Sequence, residues 1–370
     1  MTATKKSMLH LTPLAECGGC EVNCLRIIEA LRDFEHRVVV FGEPGPMSAA
    51  WERAGAQVEH LRAWQRGPTE FAAAFTRWRE ARTVPSAVIY WSSSRLPTVL
   101  RVLRRWDTAW AVHLGNPLHP GIVPRIRRRV YDWIYPAPSA VTLVACSNHV
   151  AESHRQAGYF RRFATEVVYN PVDPALDQEH SHRPLPPGSA PRVGMVARLD
   201  KIKDQRTVIR ALAEATLRRP DIVIEFAGDG PLLEELRREA AALKVGGRVR
   251  FLGFRPVGSL LAQWDIYVHS TTESEGMGTA LAEAMMAGLP CLVSDLSVMR
   301  EVCGPEGAVY VQAGNASSLA RALIELVEDR AMREAFGHAA QNRARRLFGL
   351  SRAASAYVNA AFPGTSHGTR

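Results

Sequence analysis

Short apolar runs alternate with longer amphipathic segments along most of this chain, and that alternation restricts its fold more than any other feature of the sequence. The apolar runs are typical of buried β-strands, and the segments between them repeat with the period of an α-helix. A parallel pair of strands needs a long crossover connection, which is usually a helix. The alternation therefore predicts an α/β protein built on parallel sheets.

Both halves of the chain show this pattern. In the first half, strands are predicted at Met8–Leu14, His36–Gly42, Ser86–Trp91, Trp110–His113, Val141–Ala145 and Thr165–Tyr169, with helices at Glu21–Phe34, at Pro46–Ala54 and from Ser147. In the second half, strands are predicted at Arg192–Ala197, Ile222–Ala227, Val249–Leu252, Ile266–His269 and Pro290–Ser294, with helices at Gln205–Arg218, Leu232–Leu243, Thr279–Ala287 and within Ser317–Leu347. A chain of 370 residues is long enough for two such domains.

A polar, proline-rich stretch separates the two halves. It runs from Asp173 to Pro191 (DPALDQEHSHRPLPPGSAP) and has no helical or strand period. We expect an N-terminal domain over 1–173, a linker over 174–191, a C-terminal domain over 192–347, and a helix and tail over 348–370 that cross back to the N-terminal domain. Ligands bind at the carboxyl ends of the strands in such sheets, so two ligand-binding edges are expected to face each other across a cleft.

The charge of the chain is +9 and lies mostly in the first half, with 22 basic and 15 acidic residues up to Asp173 and 24 and 22 after it. A basic surface attracts phosphorylated substrates, anionic lipid or nucleic acid. No helix-turn-helix, zinc-finger or single-strand-binding motif is present, so we predict no nucleic-acid partner. The apolar stretches are far shorter than the roughly 20 residues of a membrane span, and the first residues do not read as a secretory signal, so a cytoplasmic protein is expected.

The most informative segment is ESEGMGTALAEAMMAGLPCLVSD, which follows a predicted strand. Gly276 and Gly278 allow the backbone to turn and to approach a ligand, and a helix begins near Thr279. The amino end of a helix favours phosphate through its unpaired amides and its dipole. Glu283 lies one turn into that helix, and Glu275 precedes it, where a carboxylate can oppose developing positive charge. An isolated glutamate is more often a solvated residue, but the glycines and the preceding strand favour a binding site.

Other charged residues lie at the ends of predicted strands. Arg198 and Lys203 follow a strand and can neutralise a diphosphate, or they are ordinary surface residues. His113 ends a strand and precedes Gly115; it lines a binding site, or it is a packed histidine with a backbone partner. Gly18 and Gly19 follow the first strand and precede a helix, so they permit close backbone approach to a substrate.

Two further features allow opposite interpretations. The segment Pro124–Tyr135 combines Arg125, Arg127, Arg128 and Arg129 with Ile, Val, Trp and Tyr, which suits either peripheral contact with an anionic membrane or a solvated helix face.

Cys17, Cys20 and Cys24 lie within eight residues, but a structural zinc site usually needs two ligand pairs, and the other three cysteines provide no second Cys-x-x-Cys pair. We therefore expect reduced cysteines and no metal.

Together these motifs resemble the retaining glycosyltransferases of family 4, whose fold is GT-B: two Rossmann-like domains across a cleft. Glu275 and Glu283 match the E-x(7)-E motif of that family, and EAMMAGLPCLVSD matches the residues that follow it. VARLDKIKDQRTVIRAL resembles the R-L-x-x-x-K segment, and FAGDGPLLEEL and VRFLGF resemble the base and ribose pocket. In the first half, LHLTPLAECGGCE, VHLGNP and VVYNPVD show a weaker resemblance.

The resemblance implies a role for each matched position. It makes Glu275 and His113 catalytic, and it places Glu283 on the ribose and Phe254 near the base. It implies that the diphosphate is bound by Arg198, Lys203, Gly18, Gly19 and Gly278, and the donor sugar by Glu275, Gly276, Met277 and Gly278. The donor is then a nucleotide diphosphate sugar with UDP or GDP, and the acceptor a hydroxyl of a lipid-linked or polysaccharide glycan, as in bacterial surface polysaccharide synthesis.

The absence of any D-x-D triplet favours a metal-independent reaction, in which side-chain cations and helix amides stabilise the leaving diphosphate. Retention through a covalent intermediate needs a second carboxylate, which the first half does not identify, so the resemblance favours front-face displacement. Three alternatives remain: a sugar-nucleotide epimerase of the same fold, a non-catalytic sugar-nucleotide-binding protein, and a dinucleotide-dependent oxidoreductase. Gly276 and Gly278 form only part of the G-x-G-x-x-G turn that the last requires.

Overall fold

The structure, a computed structural model, describes residues 5–118, 141–158, 163–177, 191–272 and 274–362. The chain divides into two compact units. The N-terminal unit contains Met1–Pro171 together with Leu350–Arg370, and the C-terminal unit contains Val172–Gly349. Each unit is built on one parallel sheet, which confirms the predicted fold class.

The N-terminal unit has a seven-stranded parallel sheet in the order β3-β2-β1-β4-β5-β6-β7. Its strands are β1 (Ser7–Thr12), β2 (Glu35–Val40), β3 (Gln57–His60), β4 (Ala87–Tyr90), β5 (Ala109–Leu114), β6 (Val141–Ala145) and β7 (Ala164–Val167). The helices described before the linker are α1 (Gly19–Ala30), α2 (Pro46–Arg53), α3 (Pro68–Glu80), α4 (Leu96–Leu103) and α5 (Asn148–Ala157). Three of these elements, β3, α3 and α4, were not predicted, and α1 begins at Gly19, two residues before the predicted start at Glu21.

The sheet of the N-terminal unit is covered on both faces, which explains why β4 and β6 are buried along their whole length. One face packs against α1 and α2 through residues such as Ile27 and Trp51. The other face carries an aromatic cluster in which Phe41 contacts Phe71 and Phe75. Burial of large apolar side chains on both faces is the main stabilising term for a sheet of this kind.

The last described helix belongs to the N-terminal unit although it follows the whole C-terminal unit in sequence. This helix, α13 (Leu350–Ala361), packs against α1, β5 and β6. Its small residues, among them Ala353, Ala354 and Ala360, are buried and allow close approach to the sheet, and Tyr357 is buried among them. The chain therefore returns to its first unit at residue 350.

The C-terminal unit has a six-stranded parallel sheet in the order β10-β9-β8-β11-β12-β13. Its strands are β8 (Arg192–Val196), β9 (Val223–Ala227), β10 (Val249–Gly253), β11 (Ile266–His269), β12 (Cys291–Ser294) and β13 (Val309–Val311). Its helices are α6 (Gln205–Ala215), α7 (Leu233–Ala242), α8 (Val257–Leu261), α9 (Thr279–Met286), α10 (Ser297–Cys303), α11 (Ala316–Glu328) and α12 (Arg330–Leu347). Helices α6, α7 and α11 pack on one face of the sheet, and α9 packs against α12.

The strand order of the C-terminal unit determines which loops meet. β8 pairs with β9 on one side and with β11 on the other, so the chain direction across the sheet reverses at β8. The loops that follow β8 and β11 leave the same edge from neighbouring strands. A crevice at such a reversal point is where ligands bind in open α/β sheets.

Two predictions lie outside the part of the chain that the structure describes. The basic segment with Arg125, Arg127, Arg128 and Arg129 falls within residues 119–140, and most of the predicted linker falls within 178–190. Among the described helices, none combines the length and the apolar character that crossing a membrane requires.

Candidate functional site

The loops after β8 and β11 are joined by hydrogen bonds. The Thr272 amide donates to the Ile202 carbonyl at 2.9 Å, and the Thr271 hydroxyl donates to the same oxygen at 3.1 Å. The Ser270 hydroxyl lies 3.3 Å from a carboxylate oxygen of Asp204. These contacts hold the segment with Lys203 against the segment with Glu275.

Glu275 is buried, with 8% of its surface exposed, and three side chains converge on one of its oxygens. The Lys203 ammonium forms an ion pair with Oε2. The His269 Nε2 lies 3.3 Å from the same oxygen and the Thr271 hydroxyl 3.4 Å from it. The structure thus brings together the predicted residues Glu275 and Lys203 and adds His269, which was not predicted.

The environment of Glu275 keeps the carboxylate ionised. Burial by itself raises the pKa of this carboxyl, but the charge of Lys203 and the hydrogen bond from His269 outweigh burial, and the pKa of Glu275 falls well below its ordinary value of 4.5. Burial lowers the pKa of His269, so the ring is neutral near pH 7, although its contact with Glu275 acts in the opposite direction. A neutral ring can donate to Glu275 through a proton on Nε2.

The two oxygens of Glu275 differ in what they can still bind. Oε2 already accepts from the Lys203 ammonium and from the His269 ring, with the Thr271 hydroxyl 3.4 Å away, whereas Oε1 accepts one hydrogen bond, from the Gly276 amide at 3.2 Å. A carboxylate oxygen can accept about two hydrogen bonds in good geometry. Oε1 is therefore the oxygen with capacity left for a ligand.

Gly278 is required at the start of α9. Its φ of +78° lies in the left-handed region, and a Cβ at this position would be 3.0 Å from the His269 Nε2. Gly276 and Met277 are buried, whereas Thr279 and Ala280 at the helix start are half-buried. The amino end of α9 thus begins directly beside the Glu275 cluster and retains some exposure.

The two predicted phosphate-binding cations have carboxylate partners. The Arg198 guanidinium lies 2.9 Å from Asp200 and is 71% exposed, while Lys203 is 22% exposed and paired with Glu275. Asp200 also accepts from the amides of Ile202 and Lys203 at 3.0 and 3.2 Å, so it shapes this loop. Arg198 can move to a ligand at small cost, because an exposed ion pair contributes little.

Two glycines of the segment FAGDG allow the loop after β9 to lie against the loop after β8. A Cβ at Gly228 would be 2.1 Å from the Ala197 carbonyl, and one at Gly230 would be 2.4 Å from the Leu199 carbonyl. Gly228 also has a φ of +136°. Any side chain at these positions would push the Arg198 loop away.

The two residues predicted to contact the nucleotide lie in different surroundings. Glu283 is in α9 and is buried, with 6% of its surface exposed. Phe254 follows β10 and is 67% exposed, one of the largest exposed apolar side chains that the structure describes. An exposed aromatic ring at the carboxyl edge of a sheet suits stacking of a planar base.

His113 lies at the carboxyl end of β5 in the N-terminal unit and is fully buried. Its Nδ1 lies 2.7 Å from the Tyr357 hydroxyl, so its partner is a side chain of α13 and not the backbone group considered from sequence. Its Nε2 has no hydrogen-bond partner within the described residues. A Cβ on Gly115 would lie 3.2 Å from that nitrogen and 3.0 Å from the Cys20 sulfur, so Nε2 points toward Gly115 and Cys20.

Gly18 and Gly19 form the start of α1, as N-cap and first helical residue. A Cβ at Gly18 would be 2.5 Å from a carboxylate oxygen of Glu21, so this glycine leaves room for that carboxylate. Burial raises the pKa of Glu21 to about 7; a hydrogen bond from its own backbone opposes the rise, and Glu16 adds to it. Glu21 was not identified from sequence, although it lies in the predicted helix directly after the glycines.

The three neighbouring cysteines differ in exposure. Cys17 is exposed, Cys20 is half-buried and Cys24 is buried in the core, and none of the three forms a disulfide. Burial raises the pKa of Cys20 to about 12 and that of Cys24 well above its ordinary value, so neither is a thiolate near pH 7. In the described ranges, no three His, Cys, Asp or Glu side chains are arranged to hold a metal ion.

Comparison with known proteins locates a family domain in the second half. Residues 177–343 match the family described as Glycosyl transferases group 1. The lipopolysaccharide core biosynthesis glycosyltransferase LpsE of Rhizobium meliloti is 33% identical over 153 residues, which cover 40% of this chain and 42% of LpsE. The phosphatidyl-myo-inositol mannosyltransferase of Mycolicibacterium smegmatis is 33% identical over 148 residues, covering 39% of this chain and 38% of that protein. These alignments thus span about two fifths of each relative.

Solved structures resemble almost the whole chain. HepE of Anabaena, in complex with UDP and glucose, has a TM-score of 0.81 at 22% identity and covers 95% of this chain and 98% of its own. Sucrose-phosphate synthase from Thermosynechococcus elongatus has a TM-score of 0.72 at 17% identity, covering 96% and 98%. Likeness at these identities establishes the fold, which is GT-B. Residues 177–343 of this chain are therefore similar to the group 1 glycosyl transferases, and the chain has the GT-B fold.

Proposed function

We propose that this protein is a retaining, metal-independent glycosyltransferase of family 4, which moves a sugar from a UDP or GDP sugar to a hydroxyl acceptor. The observation that carries the proposal is Glu275, buried and kept ionised by Lys203 and His269 beside the start of α9. A buried charge is costly unless it is paired and hydrogen-bonded, and carboxylates with strongly shifted pKa values cluster at functional sites. The group 1 domain, the names of the relatives and the complex of HepE with UDP and glucose support the same function.

The donor nucleotide binds the C-terminal unit in this proposal. Its diphosphate lies at the start of α9 near Gly278, where helix amides, Lys203 and Arg198 oppose its charge. Glu283 accepts hydrogen bonds from the ribose, and Phe254 stacks on the base. The Lys203 ammonium has three protons, so it can keep one hydrogen bond to Glu275 and donate another to a phosphate oxygen.

The donor sugar contacts Glu275 and the backbone of Gly276, Met277 and Gly278. The free capacity of Glu275 Oε1 accepts a sugar hydroxyl, and the fixed negative charge stabilises the positive charge that develops at the anomeric carbon. Since Lys203 and His269 hold the carboxylate in one orientation, the site needs little reorganisation when the sugar reacts.

The proposed reaction is a front-face displacement. The bond between the anomeric carbon and the phosphate oxygen breaks, the acceptor oxygen forms a bond to the same face, and the acceptor proton passes to the leaving phosphate. Cations and helix amides stabilise the leaving group in place of a metal. Gly18 and Gly19 at the start of α1, and the Nε2 of His113, are the proposed contributions of the N-terminal unit.

The acceptor is proposed to be a lipid-linked or polysaccharide glycan, and the protein a cytoplasmic one that contacts anionic membrane through Arg125, Arg127, Arg128 and Arg129. The basic and aromatic composition of this segment supports the contact. Binding to vesicles that contain anionic phospholipid should fall when Arg127, Arg128 and Arg129 are changed to Glu. Unchanged binding would remove the membrane contact from the proposal and leave the reaction untouched.

A panel of UDP and GDP sugars tests the donor directly. A donor present at about 100 times its Kd stabilises the protein by about 2.7 kcal/mol, which a thermal unfolding assay detects. The stabilising sugar nucleotide is then incubated with glycan acceptors and with EDTA, and the anomeric configuration of the product is read by NMR. Stabilisation by no member of the panel would overturn the proposal.

The same assay separates the alternatives. An epimerase converts the donor sugar without any acceptor, and a non-catalytic binding protein is stabilised by the donor but yields no product. Loss of product on addition of EDTA, with the metal restoring it, would contradict metal independence alone.

A further inference from the structure

Among the described residues, one group forms a hydrogen bond with the His113 ring, and it is a tyrosine hydroxyl. Tyr357 Oη lies 2.7 Å from Nδ1, although the two residues are 244 positions apart in sequence. His113 is 0% and Tyr357 1% exposed, so water does not compete for this contact. Tyr357 comes from α13, the helix with which the chain returns to the N-terminal unit.

The chemistry of the pair determines which group donates. Burial raises the pKa of Tyr357 well above its ordinary value, so the phenol keeps its proton, and burial lowers the pKa of His113 to about 4, so the ring is neutral. A phenol is a good donor and a poor acceptor, whereas an unprotonated imidazole nitrogen is a good acceptor. If Nδ1 donated instead, the phenol proton and the Nε2 lone pair would both lack partners in an apolar site, which is costly.

A hydrogen bond from Tyr357 to Nδ1 places the ring proton on Nε2. That nitrogen has no partner within the described part of the chain and points toward Gly115 and Cys20, at the carboxyl edge of the sheet and near the start of α1. Because Nε2 is itself buried, a ligand contacts it only after the groups around it move. The ring then offers a donor, and not an acceptor, to that ligand.

The Trp91 ring packs beside the His113 ring and is itself fixed by a separate chain of hydrogen bonds. The Trp91 ring lies 5.5 Å from His113 and 5.1 Å from Tyr357, measured between centroids. The Trp91 indole donates to His10 Nδ1 at 3.1 Å, so His10 carries its proton on Nε2 and donates to His36 Nδ1 at 2.9 Å. His36 then donates from Nε2 to the Leu31 carbonyl at 2.8 Å. Trp91 is therefore a fixed wall against both rings.

We propose that Tyr357 is a positioning residue that holds His113 in the tautomer with its proton on Nε2, so that His113 donates a hydrogen bond to a hydroxyl oxygen of the reacting sugar. The hydrogen bond from His113 to a sugar hydroxyl rests on the proposed function, whereas the assignment of the His113 tautomer does not. The C-terminal helix then contributes to the chemistry of the first unit without touching the substrate.

The tautomer is tested by NMR of the full chain labelled with nitrogen-15 in histidine, because protonated and unprotonated ring nitrogens have well separated shifts. His113→Gln identifies the His113 signals. In the wild-type protein we expect Nε2 protonated and Nδ1 unprotonated, and in Tyr357→Phe a mixture of both tautomers. Tyr90→Phe is the matched control, since Tyr90 is equally buried in this unit and bonds the Ser94 carbonyl, so it should leave the His113 signals unchanged.

Activity gives a second, independent measurement through a double-mutant cycle. Gln at position 113 carries a donor near the place of Nε2 and has no second tautomer, so it does not need Tyr357. Tyr357→Phe should lower kcat about tenfold in the wild-type protein, as expected for loss of one well-placed hydrogen bond, and less than about twofold in His113→Gln. A purely structural tyrosine would cost the same in both backgrounds.

The outcomes separate this inference from the proposed function. A proton on Nδ1 in the wild-type protein, or a tautomer unchanged in Tyr357→Phe, would overturn the inference even if the protein transfers sugar. Equal losses of kcat in the two backgrounds would overturn it as well. If no transfer is found but the tautomer changes as expected, the positioning role of Tyr357 stands and the proposed function fails.

Discussion

The carboxyl edges of the two sheets are built alike but differ in charge. In the C-terminal unit, Glu275 is ionised and paired with Lys203 in a buried cluster. In the N-terminal unit, the buried pair of His113 and Tyr357 is neutral. Both sheets have the strand order in which the first strand lies between the second and the fourth. The two sheets share this strand order, but their carboxyl edges differ in charge. The fold therefore determines where a site lies, and the side chains determine its chemistry.

The difference has a physical cause. A buried carboxylate remains ionised only when cations and donors replace the water it has lost, and the loop after β8 brings Lys203 to Glu275 for this purpose. A buried imidazole is more stable as the neutral ring, and a phenol then determines its tautomer. One edge is thus suited to stabilising charge, and the other to directing a neutral hydrogen bond.

The largest expected effect comes from removing the charge at the C-terminal edge. Glu275→Gln keeps the shape of the side chain but leaves Lys203 without its counter-charge, so we expect kcat to fall by about 10²–10³-fold. Steady-state kinetics with the stabilising donor measure this. Glu234→Gln, which breaks an exposed ion pair with Arg237, is the control and should be within about twofold of wild type. A kcat for Glu275→Gln near that of the control would show that the charged edge is not the reactive one.

Removing the Lys203 ammonium should have a smaller effect, and Arg198 in the same loop provides the comparison. We expect Lys203→Met to weaken donor binding about 10- to 100-fold, because in the proposed site the ammonium binds the diphosphate and also orients Glu275. Arg198→Met should weaken binding less, since its guanidinium is 71% exposed and, in the proposed site, acts on the phosphate alone. Calorimetric titration with the nucleotide diphosphate gives both values. Equal losses would mean that the pairing with Glu275 adds nothing to donor binding.

The smallest effect concerns Glu21, a carboxylate whose pKa of about 7 brings charge to the N-terminal edge near neutral pH. The unfolded chain loses this proton near pH 4.5 and the folded protein near pH 7, so stability should fall as the pH rises from 4.5 to 7. Glu21→Gln should therefore raise Tm by about 2–4 °C at pH 8 and by less at pH 5. A larger gain at pH 5, measured by thermal unfolding, would contradict the raised pKa.

Sequence reasoning was most successful where the signal is local. The strands of the C-terminal unit are short apolar runs, and Gly278 occupies a position that a side chain cannot, so pattern and sterics predict them. It missed His269, which was noticed only as the end of a strand, although a polar residue at a carboxyl end six positions before Glu275 is a detectable signal. It missed Tyr357 because nothing near that residue in sequence relates it to His113.

The sequence by itself therefore determined the α/β class, most elements of the C-terminal unit, though not β13, α8 or α10, and the spacing of Glu275 from Glu283. These depend on periodicity and on backbone sterics over a few residues. Only the tertiary structure decided which charges neutralise each other and which tautomer His113 adopts. Lys203 and Glu275 are 72 residues apart, and His113 and Tyr357 are 244 apart. Contacts at such separations depend on strand order and on the return of α13 to the first unit, which local patterns do not encode.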